Sequence, residues 1–263
     1  MASDDVKTRL LESAGPIFAE KGFAGATIRE ICHAAGANLA SVNYHFGDKR
    51  RLYIETVKHA HPLSKVPNEP LGWPPHTPAS HKLAHLIAVA LRQMYGMNRE
   101  PWQARLLMRE MTAPSDAARE LIEQFIRRRF NQLCDVLGEI LPAEVPPHRL
   151  KQTAFSVIGQ VVYLRAAAPV IRQIVGEDDW GDHFRLDDLI EHVVSFSFAA
   201  VGIPAAERDA ALAFAKETPA PGGTPRPSDN AHEASYGIQP PGANGNGRQR
   251  DPRSPLAESS QDA

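Results

Sequence analysis

Asn38, Ser41, Asn43, Tyr44 and His45 crowd two amides, a hydroxyl, a phenol and an imidazole into one short stretch of the run TIREICHAAGANLASVNYHF, Thr27 to Phe46. A carboxamide such as that of Asn43 offers one acceptor and two donors, the pattern that pairs bidentately with adenine in the major groove. Hydroxyl and ammonium groups suit phosphate oxygens instead, contacts that set register without reading sequence. The face therefore has the chemistry to enter a DNA groove. Charge around it agrees: between Lys21 and Arg51 the basic residues are Lys21, Arg29, Lys49, Arg50 and Arg51, against the acids Glu30 and Asp48. That window is net positive, as a phosphate-facing surface needs. The whole chain is not, with a formal charge of -2 and a pI near 6.6, so a role with nucleic acid must rest on this local charge.

Other chemistries are poorly supported. His81 and His85 stand one helical turn apart with His76 before them, but a third zinc ligand is not evident, and His59 and His61 fare no better. The two cysteines, Cys32 and Cys134, each fall alone in a predicted helix and read as small core residues. No glycine-rich phosphate loop, nucleophile elbow or credible carboxylate pair occurs. An enzyme is not expected, nor a cofactor or a metal. No run approaches the roughly 18 apolar residues of a membrane span and no secretory start is seen. The expectation is a cytoplasmic protein without a membrane partner.

The elements that position the polar face can be read from caps and periodicity. Thr27 with Glu30 three residues on is a capping box, which starts a helix. Gly36 after Ala34 and Ala35 suits a left-handed turn, and Asn38 caps the next helix. Two short helices joined by a tight turn make a helix-turn-helix. Before them Val6, Leu10, Ala14, Ile17 and Phe18 recur at helical spacing, with a stop at Gly22 and Phe23 and a bend expected at Pro16. A fourth helix runs from about Asp48 to Ala60, and Phe46 is assigned to the core. Six prolines between Pro62 and Pro78 then predict an extended connector over 61–80. Long helical patterns follow from 81 to 203: Leu83 to Tyr95, Trp102 to Met111, Ala117 to Leu141, Leu150 to Ala167 and Leu186 to Val201. After Pro204 a short amphipathic candidate, Ala205 to Lys216, precedes a stretch too poor in apolar residues to order itself, so 204–263 is read as a mostly disordered tail. With 43% hydrophobic residues among 263, the chain supports an all-α fold, an N-terminal three-helix unit over 1–60 and a C-terminal helical bundle.

The run FAEKGFAGATIREICHAAG followed by NYHFGDKRRLY resembles the DNA-binding domain of TetR-family regulators across three helices and their caps. LLMREMTAPS (Leu106 to Ser115) and SVIGQVVYLRAAAPVI (Ser156 to Ile171) resemble the C-terminal domain of the CerR or CecR type. The resemblance implies a homodimer that places its third helix in successive major grooves of a palindromic operator on double-stranded DNA. By position it puts Asn38, Ala40, Ser41 and Asn43 against base edges and Thr27, Tyr44, His45 and Lys49 against phosphates. This sequence departs from the commonest family pattern at Asn43, where tyrosine usually precedes Tyr44, and at Ala40, more often glycine.

A regulator of this kind implies an input, an unknown small-molecule effector held between helices of the bundle. Residues on expected inward faces are Leu91, Met94, Tyr95, Trp102, Leu106, Met111, Phe125, Gln160, Tyr163 and Leu164, with Arg105, Arg109 or Glu110 as orienting groups. Arg109 and Glu110 read equally well as a structural ion pair. Helices 150–167 and 186–201 carry more apolar surface than one subunit covers, through Ala154, Val157, Ile158, Val161 and Val162 and through Leu189, Ile190, Val193, Val194 and Phe198. Pairing with their symmetry mates would give a four-helix interface, as in the family. The sequence thus points to a ligand-responsive repressor. The alternatives are a helical adaptor that binds protein rather than DNA, and a TetR-like regulator controlled by a protein partner.

Overall fold

Stripes of apolar residues at three- and four-residue spacing fold this chain into helices throughout the computed structural model, which describes residues 2–61, 69–95 and 100–219. No strand occurs among the described residues, so the all-α expectation holds. The first helices are α1 (Ala2–Gly25), α2 (Ile28–Ala35), α3 (Leu39–Phe46) and α4 (Lys49–Ala60). In α1 the stripe Leu10, Ala14 and Phe18 is fully buried. The helix passes through Pro16 with helical dihedrals, and its irregularity lies at Gly22 (φ 68°, ψ 179°). The dihedrals leave the helical range at Gly22 rather than at Pro16, where the sequence predicts a bend, and Pro16 and Glu12 are both exposed. The Glu12 carbonyl, which proline cannot pair, is free to bond water instead. Gly22 takes a backbone conformation that only glycine enters without strain. It is a break rather than the predicted end, since helix resumes to Gly25.

Two hydrophobic cores form, and their boundary is not at the proline-rich connector. Leu10, Phe18, Ile31, Val42, Leu52 and Val57 from α1–α4 are joined by Trp102, Leu106, Ala117 and Leu121. Those come from α6 (Pro101–Thr112) and α7 (Asp116–Leu121). The N-terminal unit predicted as residues 1–60 is therefore completed by a segment from beyond the connector. The second core gathers around α5 (Ala79–Tyr95), against which pack α8 (Arg127–Ile140), α9 (Pro147–Ala166), α12 (Leu186–Val201) and α13 (Arg208–Glu217). Leu83, Ile87, Leu91, Leu137, Ile190 and Val193 lie at its centre.

The described part of the connector is docked on this bundle. Leu71 N donates to Gln132 Oε1 at 3.0 Å and Gln132 Nε2 donates back to the Leu71 carbonyl at 2.7 Å. Trp73 Nε1 donates to His85 Nδ1 at 3.0 Å. A side-chain amide thus supplies the backbone partners that an extended strap lacks.

Four C-terminal elements differ from expectation. The single helix predicted over 117–141 contains a π-turn (Ile122–Ile126) between α7 and α8. One continuous helical rod thereby runs from the first core into the second. Beyond α9, Pro169 opens a separate helix, α10 (Ala168–Val175), bent by 74° from α9, because proline is tolerated in a first turn and not in an interior. Then α11 (Glu177–His183) buries Trp180 beneath an acidic surface that hid it in the sequence. Finally α13, which falls within the stretch expected to be mostly disordered, packs Ala211, Leu212 and Ala215 on the bundle, and Arg92 Nη1 donates to the Ala215 carbonyl at 2.9 Å. Residues 220–263, expected to be disordered, lie outside the described residues. Among the described residues no single helix is long and apolar enough to cross a membrane.

Candidate nucleic-acid interface

The Thr27 hydroxyl accepts from Glu30 N at 3.2 Å and starts α2. Only half of the expected capping box forms, because the Glu30 carboxylate is drawn outward by Lys21 Nζ. Gly36 closes α2 in the left-handed region, φ 58° and ψ 37°, as predicted. Asn38 then caps α3, its Oδ1 accepting from Ser41 N at 2.9 Å and from Ser41 Oγ at 3.0 Å. On this short helix Val42 and Phe46, one turn apart, are buried, which turns Leu39, Ala40, Asn43 and Tyr44 outward. Tyr44 is 80% exposed. A phenol that fits no core of its own chain is presented beside an exposed carboxamide. Thr27 and Asn38 are also exposed, while Ser41, His45 and Lys49 are half-buried. The residues expected from sequence to face DNA thus lie at the start of α2, on α3 with its cap, and at the start of α4.

The positive window is less free than its composition implied. Arg50 Nε donates to Asp116 Oδ2 at 3.0 Å, and Arg51 reaches Glu120 at 3.0 Å and Glu55 at 2.7 Å. Lys58 completes the seam by bridging Glu55 and Glu120 at 3.0 and 3.3 Å. The hydrogen bond from Arg50, reinforced by its charge, holds the Asp116 carboxyl below its usual range. Lys49 Nζ lies 4.8 Å over the Phe23 ring and points to the Ala24 carbonyl at 3.5 Å. Much of the charge predicted for phosphates therefore fastens α4 to α7, through acids more than 60 residues away in sequence.

Behind that seam lies a buried carboxylate. Glu110 accepts from Tyr53 OH at 2.6 Å, from Ser115 N and Oγ at 3.0 and 2.7 Å, and from Ala118 N at 3.1 Å. Burial, and then the hydrogen bond to Glu110, pushes the Tyr53 hydroxyl well above the usual phenol range. Glu110 is thus the joint between α4, α6 and α7 rather than half of an ion pair with Arg109. Arg109 instead lies over Gly22, where a Cβ would collide with its guanidinium.

The residues expected to line an effector cavity are dispersed. Trp102 is buried in the first core against Gly15, which has no room for a Cβ beneath the indole. Phe125 packs on the same core beside His61. Arg105 and Arg109 are on the outer face of α6, and Met111 is exposed. Met94 borders the second core, Gln160 is half-buried and donates to its own helix at Ser156 O, and Tyr163 is 61% exposed. An open groove of about 630 Å³ lined by Pro114, Asp116, Arg119, Ile122, Glu123 and Arg127 touches none of them. Sequence periodicity misassigns Met111 and Tyr163, which face outward, and does not say which of the two cores Trp102 and Phe125 enter.

The apolar surplus on α9 and α12 needs a similar correction. Ala154, Val157, Val161, Leu189, Ile190, Val193, Val194 and Phe198 are buried within the subunit, and Ile158 and Val162 are half-buried. The outward apolar residues are Phe155, Tyr163 and Phe196, continued on α10 by Val170 and Ile174. The two cysteines follow expectation in part, Cys32 buried and Cys134 half-buried, with burial raising both thiols. His85 is buried and bonded to Trp73, and no metal-binding cluster occurs among the described residues.

Comparison with known proteins meets this geometry at both ends. Residues 10–56 match the profile of the bacterial regulatory proteins of the tetR family, and residues 79–201 match that of the C-terminal domain of the HTH-type transcriptional dual regulator CecR. The HTH-type transcriptional repressor AcnR of Corynebacterium efficiens is 40% identical over 52 residues, which cover 20% of this chain and 28% of AcnR. The icaADBC biofilm operon negative regulator IcaR of Staphylococcus aureus is 34% identical over 53 residues, again 20% of this chain and 28% of the relative. The chain thus spans under a third of the length of these relatives. Among solved structures, the hemolysin II transcriptional regulator HlyIIR aligns with a TM-score of 0.47 at 20% identity, over 74% of this chain and 97% of that one. The helix-turn-helix seen in α2 and α3 lies within the stretch matched by the tetR-family profile, and α5 to α12 lie within the stretch matched by the CecR-type profile. The chain therefore belongs to the TetR family of DNA-binding transcriptional regulators, with a C-terminal domain of the CecR type.

Proposed function

We propose that this regulator acts as a homodimeric, ligand-responsive repressor that sets α3 of each subunit into successive major grooves of a palindromic operator. The observation that carries the reading is the outward face of α3, with Asn43 and Tyr44 exposed while Val42 and Phe46 anchor the helix from behind. Asn43 is the main base-reading residue. Asn38 and Ser41 contribute less, since the Asn38 oxygen is committed to the cap, and Ala40 offers only a methyl contact. Thr27, Tyr44, His45 and Lys49 contact phosphates. Half-sites about 34–36 Å apart suit a two-fold helix-turn-helix dimer.

Phe155, Tyr163 and Phe196 are the outward apolar residues that a second subunit would cover. An effector bound in the second core releases the operator by favouring the form whose reading helices are badly spaced. The role is regulatory rather than enzymatic, and the compartment is the cytoplasm.

Genomic footprinting with the purified protein supplies an operator for quantitative binding. Asn43→Ala then lowers affinity by about 1–3 kcal/mol and relaxes one base position. Lys49→Ala weakens every sequence alike and reduces the salt dependence, since each lost phosphate contact releases fewer counterions. Operator binding untouched by both substitutions refutes the docking, and failure to retard DNA even at low salt favours a protein-binding adaptor. Sedimentation that finds only monomer at micromolar concentration refutes the dimer.

A further inference from the structure

Arg129 stands three residues into α8, one turn before Gln132 and Leu133, which face the strap at Leu71 and the second core. Both of its terminal nitrogens are shut off from solvent and have no hydrogen-bond partner among the described residues. A desolvated guanidinium without a carboxylate is a costly arrangement, because the attraction that normally offsets lost hydration is absent. Burial and the like charge of Arg128 both lower its pKa.

The surroundings point the same way. On α5, which packs against α8, Gln93 is buried with its amide Nε2 also unpaired, again a donor without an acceptor. Positive charge reaches the interior: Arg92 and Arg129 both disfavour protonation of the buried His85. The side chains packed between α5 and α8 are otherwise apolar, among them Leu91, Leu133, Val136 and Leu137. Unpaired donors, a positive field and apolar packing around them are complementary to one class of ligand, an acceptor-rich anion on an apolar body.

We propose that Arg129 anchors an anion site in the C-terminal bundle, where its guanidinium takes the carboxylate or phosphate group of a small, mostly apolar effector. Arginine's planar fork fits either group through two parallel hydrogen bonds. The site rests on the reading of this bundle as effector-binding and adds to it the charge of the effector. It also moves the orienting role away from Arg105 and Arg109, both on the outer face of α6.

The test uses the full chain, with thermal melting and operator affinity as separate readouts. Without any ligand, Arg129→Met melts at the wild-type temperature or higher, because it removes an unpaired buried charge and keeps the packing volume. A fall of several degrees would show that the guanidinium already has its partner and would overturn the proposal. With octanoate or octyl phosphate at about 10 mM, the wild type melts higher, as expected for a ligand that binds only the folded state. The uncharged octanamide gives no comparable shift. In Arg129→Met the anion response is lost, with binding at least about tenfold weaker.

The better of the two anions identifies the headgroup. No anion-dependent shift in the wild type, or an equal shift in Arg129→Met, overturns the site. Operator affinity then separates the two levels. An Arg129-dependent melting shift with unchanged operator affinity supports the site and refutes effector control through it. Release of the operator by octanamide, with no response to either anion, keeps effector control and refutes the anion site.

Discussion

Around Glu110, in the core shared by α1, α4, α6 and α7, four donors converge on one buried carboxylate, whereas along α5, α8 and α12 the Gln93 amide, the Arg129 guanidinium and the Ser197 hydroxyl are buried without partners. Among the described residues, every buried side-chain polar atom left unpaired belongs to the C-terminal bundle. The contrast matters because an unsatisfied buried group destabilises by about 1–3 kcal/mol while a paired one does not. The reading unit is thus polar and complete. The bundle retains hydrogen-bonding capacity that a bound molecule can satisfy, and a ligand shifts a conformational equilibrium only by the difference in its interactions with the two forms.

The strongest way to break this comparison is to empty the reading unit. Trp102→Ala removes a buried indole wedged against Gly15 and should cost about 3–5 kcal/mol, the range for large-to-small core changes of aromatic residues. Urea unfolding gives the number, and a loss below about 1 kcal/mol would mean that Trp102 borders open space rather than core.

The next effect belongs to the bundle. Burial first, and then the Arg92 charge, lower His85 from 6.5 to about 4. The unfolded chain takes up this proton near pH 6.5 and the folded chain only near pH 4. Stability from this group is therefore full above pH 6.5, declines as the pH falls, and levels off below pH 4, by about 3 kcal/mol in all. Urea titrations between pH 7 and 4 should show that slope, and His85→Gln, which has no titrating ring, should lack it.

Sequence and structure agree best where the signal is local. Thr27, Gly36, Asn38 and Asp48 fix caps within four residues of themselves, so the helix-turn-helix and the outward face of α3 were legible in the sequence. Periodicity likewise placed α5, α6, α9 and α12. What escaped depends on partners distant in sequence. Trp102 and Phe125 looked like bundle residues because nothing in their own helices records that α6 and α7 return to the N-terminal unit. Arg50 and Arg51 looked free because Asp116 and Glu120 are over 60 residues away. The apolar faces of α9 and α12 looked like a surplus because α5, α8 and α13, which cover them, had to be assembled first, and α13 itself is short and mildly amphipathic.

Paired substitutions sharpen the contrast between satisfied and unsatisfied groups. Tyr53→Phe removes one donor from the buried Glu110 and should cost about 1.5–3 kcal/mol, the range for hydrogen bonds to charged groups. Ser197→Ala removes a buried hydroxyl that has no partner and should be neutral or slightly stabilising, within about 0.5 kcal/mol. Equal losses at the two positions would abolish the distinction between the cores.

The smallest expected effect lies in the seam that joins α4 to α7. Arg51, Glu55, Lys58 and Glu120 form a connected set of ion pairs, with Arg51 and Glu120 in contact at 3.0 Å and both partly open to solvent. A double-mutant cycle of Arg51→Gln and Glu120→Gln should return a coupling of about 0.2–1 kcal/mol, because water already screens both charges. It should shrink further at high salt, where the screening length falls to a few ångströms. Such a seam sets the angle of α4 without locking it, and the buried Glu110 then supplies the rigid part of the joint. A coupling of about 3 kcal/mol that resists salt would be the signature of a buried pair. The seam would then be a clamp, holding α4 to α7 as firmly as the buried contact of Tyr53 with Glu110 holds α4 to α6.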